Sequence, residues 1–191
     1  MANNTTLFLS TQYLKDNTVI NNNTDDELLE PFITMAQNKH IERILGTGLF
    51  NDIVTNIQGN TITGLNKTLL DSYIQPALLQ WALWEALPFI NYKLTNKSVS
   101  KKTSENSNPA ELNELQYLRD SIRDTAEYMS QRVIDYLEEQ SNNGNFALYT
   151  NPGTALDTIR PNSSSYFNGI YLPGNDNDCG TFGLGIGIPL N

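Results

Sequence analysis

The stretch LLDSYIQPALLQWALWEALPFI, residues 69–90, decides the fold. Leu69, Leu70, Tyr73, Ile74, Ala77, Leu78, Trp81, Ala82, Trp84, Leu87, Phe89 and Ile90 cover much of a helical circumference. A helix apolar nearly all round sits at the centre of a bundle and packs on more than one side. The pattern predicts this helix from about Lys67 to Lys93. Pro76 and Pro88 each lack a backbone donor, so each is expected to bend or divide the helix and let it wrap around its neighbours.

Toward the N-terminus lies a shorter pattern. After a possible helical turn at Thr11–Lys15, Thr24 with Glu27 reads as a capping box, and Asp25 and Asp26 suit the positive end of a helix dipole. Leu29, Ile33, Ala36, His40 and Ile44 then recur at helical spacing until Gly46 stops the run, with Pro31 as a kink or a shifted start. Thr47-Gly48 is a break before a second helix around Leu49–Ile57, ended by Gln58-Gly59-Asn60.

Toward the C-terminus, residues 95–108 are rich in Ser, Asn, Thr and Lys and predict an exposed loop or a hairpin around Val99. Asn108-Pro109-Ala110-Glu111 is a helix start, with Asn as cap and proline at the first helical position. Leu115, Leu118, Ile122, Ala126, Met129, Val133 and Tyr136 form one stripe beyond it, with Asp120, Arg123, Asp124, Glu127 and Asp135 off the stripe. Glu138 and Glu139 oppose the dipole at the far end, which calls for a partner or a capping cation there. The expected fold is all-α: a kinked bundle of about four helices, with a polar loop or hairpin between the last two.

Residues 1–140 read as this helical body, and 141–191 as a long extended C-terminal arm. The arm carries only four charged side chains but six aromatics. A solvated tail is usually the reverse, so the arm is expected to order against a partner. Its candidate contact residues are Phe146, Tyr149, Tyr166, Phe167, Tyr171 and Phe182, with Leu184, Ile186 and Ile188 alternating with glycine as in a strand laid on another surface.

Composition narrows the chemistry. Net charge is −9, spread along the chain, and the one basic cluster is Lys93, Lys97, Lys101 and Lys102, so free duplex nucleic acid is not the expected partner. A single cysteine, Cys179, and a single histidine, His40, exclude a disulfide framework and a Cys/His zinc set. Asp176-x-Asp178-x-Gly180 is a fragment of a calcium loop without the later carboxylates. His40 lies on an apolar stripe without a nucleophile, and the acid pairs Glu111/Glu114 and Glu138/Glu139 sit on exposed faces. No enzyme, cofactor or metal is expected. The first residues lack a signal-peptide n-region, and no apolar run is long enough for a membrane span.

The body also resembles the helical head-to-tail connector (head-completion or adaptor) proteins of tailed bacteriophages, as in crAss-like and other Bacteroides-type phages. The likeness spans about residues 9–140. It rests on the order of Tyr13-Leu14-Lys15, Ala36-Gln37-Asn38-Lys39-His40-Ile41, Ile44-Leu45-Gly46 and Tyr73-Ile74-Gln75-Pro76-Ala77-Leu78. Leu87-Pro88, Asn96-Lys97-Ser98-Val99, Ala126-Glu127-Tyr128, Arg132 and Tyr136-Leu137 follow, with Ser98 where the family has glycine. The resemblance implies a structural virion protein: a homo-oligomeric ring, commonly a dodecamer, beneath the portal protein at the head–tail junction. Such a ring joins the head to the tail or to a second neck-ring protein, and DNA passes through its lumen without specific binding. Its location would be the virion, and the host cytoplasm during assembly. The competing expectation is a monomeric helical protein-binding or regulatory module.

Overall fold

The computed structural model describes residues 6–20, 22–94, 99–101, 112–155 and 158–162. The fold is all-α. A short helix α1 (Thr11–Asp16) leads into α2 (Asp26–Ala36), which runs through a π-turn (Gln37–Ile41) into α3 (Glu42–Gln58). A second rod repeats that construction: α4 (Gly64–Leu69), a π-turn (Leu70–Ile74) and α5 (Gln75–Asn91). The strands β1 (Tyr92–Leu94) and β2 (Val99–Lys101) form an antiparallel hairpin with Lys93 opposite Ser100, as the polar stretch around Val99 predicts. Helix α6 (Leu112–Asn142) and the four-residue α7 (Ala147–Thr150) complete the order.

Helix α5 is the centre, with α2 against one side and α6 against the other. Its Trp81, Ala77, Leu78 and Ala82 are fully buried, together with Leu29 and Ile33 of α2, Ile44, Leu45 and Ile53 of α3, and Ala126, Val133 and Leu137 of α6. Pro76 falls in the first turn of α5, directly after a π-turn in which the Gln75 N–H reaches back five residues to the Leu70 carbonyl. The ladder is therefore already slack where proline withholds its donor. Pro31 sits inside α2 and Pro88 inside α5 without ending either helix.

Three sequence expectations are displaced. The first long helix starts one residue later than the capping box requires: Asp25 is the cap, and it makes no side-chain cap hydrogen bond. On α6 Leu118 is 45% exposed, while Ser130, Ile134 and Leu137 are fully buried. The buried face follows 115, 119, 122, 126, 130, 133 and 137, which is regular helical spacing with Arg119 and Ser130 on it. The cause lies across the interface, where the Trp81 Nε1–H donates to Ser130 Oγ at 2.9 Å and the Arg119 guanidinium lies 4.2 Å from the Trp84 ring centre. Finally, α6 continues past Gln140 to Asn142, and the chain beyond it folds back on the body. The start signal Asn108-Pro109 lies outside the described residues.

Gly46 shows why the chain folds back. Its φ of 73° and ψ of 155° break the helix inside α3, so the Thr47 N–H cannot reach its ordinary partner four residues back, the Arg43 carbonyl. Residues 158–162 repair the gap. The Thr47 N–H donates to the Ile159 carbonyl at 3.0 Å, and the Asn162 N–H donates to the freed Arg43 carbonyl at 2.9 Å. The Ile159 N–H closes the set by donating to Thr47 Oγ1 at 2.9 Å. A Cβ on Gly46 would lie 2.7 Å from the Pro161 ring, so this glycine admits the strap; one on Gly48 would lie 2.9 Å from the Pro152 carbonyl oxygen, so that glycine admits the chain just after α7.

Candidate functional site

The expected contact residues divide into two sets. Tyr166, Phe167, Tyr171, Phe182, Leu184, Ile186 and Ile188 lie outside the described residues, as do Cys179, Asp176 and Asp178. Phe146 and Tyr149 are described, and they pack on the chain's own core. Phe146, in the left-handed region at φ 51°, sets its ring edge-on to Tyr136, which is stacked 4.1 Å from Tyr73. Tyr149 is only 6% exposed, and its hydroxyl has no hydrogen-bond partner.

Around Tyr149 the C-terminal end of α6, α7 and the strap enclose a cleft of about 490 Å³, lined by Glu138, Ser141, Thr150, Asn151, Arg160 and Pro161 among others. The last turn of α6 contains no basic residue, so Glu138 adds negative charge to the negative end of a 31-residue helix. Burial, then the Glu138 charge, pushes the Tyr149 hydroxyl up to about 12, so it remains protonated at neutral pH. Arg160 is a basic residue that lines the same cleft as Glu138. The acidic helix end was legible in sequence; the strap that brings Arg160 to it was not.

A second cleft, about 360 Å³, lies between α5 and α6 and is lined by Trp84, Pro88, Leu115, Gln116, Arg119, Asp120 and Arg123. Trp84 is flanked by two cations, Arg119 and, at 5.5 Å, Lys39. Arg119 Nε is buried without a hydrogen-bond partner. Arg123 is held loosely among Asp120, Asp124 and Glu127 at 3.5–3.8 Å. Burial raises Glu127 above the ordinary carboxylate range, and the Arg123 charge opposes the rise.

His40 stacks flat on Trp81 at 3.7 Å, with Nε2 3.2 Å from Glu85 Oε1. Lys39 Nζ reaches the same carboxylate oxygen at 2.7 Å. Burial depresses His40 to about 4 against the pull of Glu85, so it is neutral at physiological pH. This is a packed histidine, as its place on the apolar stripe predicts. Among the described residues no group of three or more His, Cys, Asp or Glu could hold a metal ion, and no helix is long and apolar enough to cross a membrane.

Over residues 41–159 the chain matches a family of unknown function, DUF6712. The protein belongs to the DUF6712 family. No curated protein and no solved structure matches it. The DUF6712 segment opens at the end of the first π-turn and closes on Ile159, the strap residue bonded to Thr47. It thus takes in Gly46 and the Thr47–Ile159 part of the repair, though not Asn162, and the whole cleft at the end of α6 except Arg160 and Pro161.

Proposed function

We propose that this DUF6712 protein is a structural virion component, a connector that forms a ring at the portal vertex and joins the phage head to the tail or neck. In this reading it acts through surfaces, without chemistry or cofactor, first in the host cytoplasm during assembly and then in the virion. One observation supports the reading most. The α2–α5–α6 layer leaves two unlike faces free: Leu28 and Met35 beside Glu27 and Glu30 on α2, and Tyr117, 80% exposed, with Tyr128 on α6. Two unlike faces on one subunit suit the heterologous contacts that close a ring, whereas a two-fold dimer needs one self-complementary face. The order of sequence motifs that resembles phage connectors adds to it.

The test is negative-stain microscopy and light scattering of the full chain mixed with the portal protein of its own genome, beside a chain ending at Asn162. Ending there keeps Tyr149 and the strap in the body and removes only residues 163–191. A stacked ring that needs those residues is the expected result. A one-to-one complex would favour the monomeric binding module, and no binding by either chain would overturn the connector.

A further inference from the structure

Leu28, Phe32 and Met35 recur at helical spacing on one stripe of α2, and the Phe32 ring lies 5.1 Å from that of Phe89 on α5. Leu28, Met35 and Phe89 are exposed, so an apolar patch runs from α2 onto α5. Asp25 and Glu27 flank the stripe at its N-terminal end. Both are exposed, and neither forms an ion pair among the described residues. Asp25 does not spend its carboxylate on the helix either, since it makes no side-chain cap hydrogen bond.

The outward strip of α6 is built differently. Tyr117, Leu118, Ser121, Thr125, Tyr128 and Arg132 follow one another at helical spacing, and all are exposed. No acid lies on this strip from Tyr117 to Arg132, because Asp120, Asp124 and Glu127 stand on the helix flank. Arg132 leans over the Tyr73 ring at 5.7 Å and touches the Met129 sulfur, but it forms no ion pair among the described residues. Tyrosine, methionine, phenylalanine and arginine are the residues that protein interfaces favour over the rest of a surface. One face thus offers apolar side chains with unpaired acids, the other apolar side chains with an unpaired base.

We propose that the α2 stripe of one copy docks on the outward strip of α6 of a second copy, with the two helices antiparallel. A single register satisfies both kinds of contact. With Leu28 laid against Tyr128, Met35 falls within about one turn of Leu118, and Asp25 and Glu27 fall within about one turn of Arg132. With the helices parallel, laying Met35 on Tyr128 leaves Glu27 about 18 Å from Arg132 along the axis. Pairing α6 with α6 about a two-fold would leave the α2 stripe and both its acids bare. The contact is heterologous, so each copy offers one face of each kind and the contacts close as a ring or run on as a filament. It rests on the ring reading above and names the surfaces that would build that ring.

Sedimentation velocity of the full chain, and negative-stain microscopy of the same proteins with the portal protein, test the contact. Met35→Asp on α2 and Tyr128→Asp on α6 alter exposed positions, so both should keep native circular dichroism. Each should self-associate at least about tenfold more weakly than wild type. An equimolar mixture of the two should form dimers and nothing larger, because only the intact α6 of one and the intact α2 of the other still match. Arg132→Glu should also weaken assembly, and Glu27→Lys added to the same chain should recover part of it. Assembly that ignores both aspartate variants, or a mixture that stays monomeric, overturns the contact. Dimers that survive Met35→Asp and are lost with Tyr128→Asp overturn it in favour of α6 pairing with itself. Portal rings formed alike by the wild type and both variants overturn the contact and leave the connector standing. Wild-type self-association that both variants abolish, without a ring on the portal, keeps the contact and overturns the connector. A wild type that neither self-associates nor forms a ring overturns both.

Discussion

Two flanking segments lie along the same α2–α3 rod, and they are held by opposite means. The leading segment Thr6–Leu9 is gripped by side chains. Gln37 in the first π-turn accepts from the Phe8 N–H at 2.9 Å and donates to the Thr6 carbonyl at 3.0 Å, so one amide stands in for a neighbouring strand. Gln75, just after the second π-turn, donates to the Phe8 carbonyl, and Gln58 donates to Thr6 Oγ1. The strap at 158–162 is gripped mainly by backbone groups that a helix break released, with Thr47 Oγ1 as a side-chain acceptor beside them. A side-chain clamp depends on which residue is present, whereas a backbone clamp depends on the absence of a Cβ.

Four perturbations separate these two clamps. The largest effect is expected for Gly46→Ala, which forces an L side chain to a φ of 73° and its Cβ to 2.7 Å from the Pro161 ring. A loss of about 4 kcal/mol is expected from strain and overpacking together, read as a fall in Tm with loss of exchange protection at the Asn162 amide. Gly64, also at positive φ but with open space around it, supplies the control, and its alanine variant should cost clearly less.

Acid comes next and acts on the leading side. His40 shares the π-turn with Gln37, and its folded pKa of about 4 lies below the ordinary 6.5. The neutral form is the one the fold accepts, so its contribution is fully present above pH 6.5 and is lost as pH falls toward 4. Up to about 3 kcal/mol should disappear across that window in urea titrations. A His40→Gln protein should show a flatter profile in the same range.

Gln37→Ala should cost about 2 kcal/mol by leaving the Phe8 N–H and the Thr6 carbonyl unpaired. Limited proteolysis should then cut the leading segment while the strap stays protected. The smallest effect belongs to Tyr149→Phe, which removes a hydroxyl already without a partner; unfolding free energy should change by less than about 1 kcal/mol, with a slight gain. A large loss would mean that the hydroxyl is engaged within the protomer.

The rods were legible in sequence because their burial follows a period. Residues 69–90 announced the central helix, Gly46 the break, and the polar stretch around Val99 the hairpin. The stripe on α6 was misplaced at Leu118 because hydrophobicity was the only guide to it. The two tryptophans select polar partners instead, Ser130 for an indole N–H and Arg119 for a ring face. The π-turns left no compositional trace, since an extra residue per turn changes which side chains face inward without changing what they are. The cleft was half visible. Glu138 and Glu139 marked an uncapped helix end, but Tyr149 and Arg160 reach it through a fold-back that no local pattern encodes.

The repair at Gly46 also sets an order of events in time. Thr47 and Ile159 are 112 residues apart in sequence, so the rod with its open gap is made, and its helices can form, long before the strap exists. Contacts across so long a separation are expected to close late, after the local helices have paired. Substitutions in the strap should therefore leave the refolding rate nearly unchanged and speed unfolding, which makes residues 158–162 a latch on the lifetime of the native state.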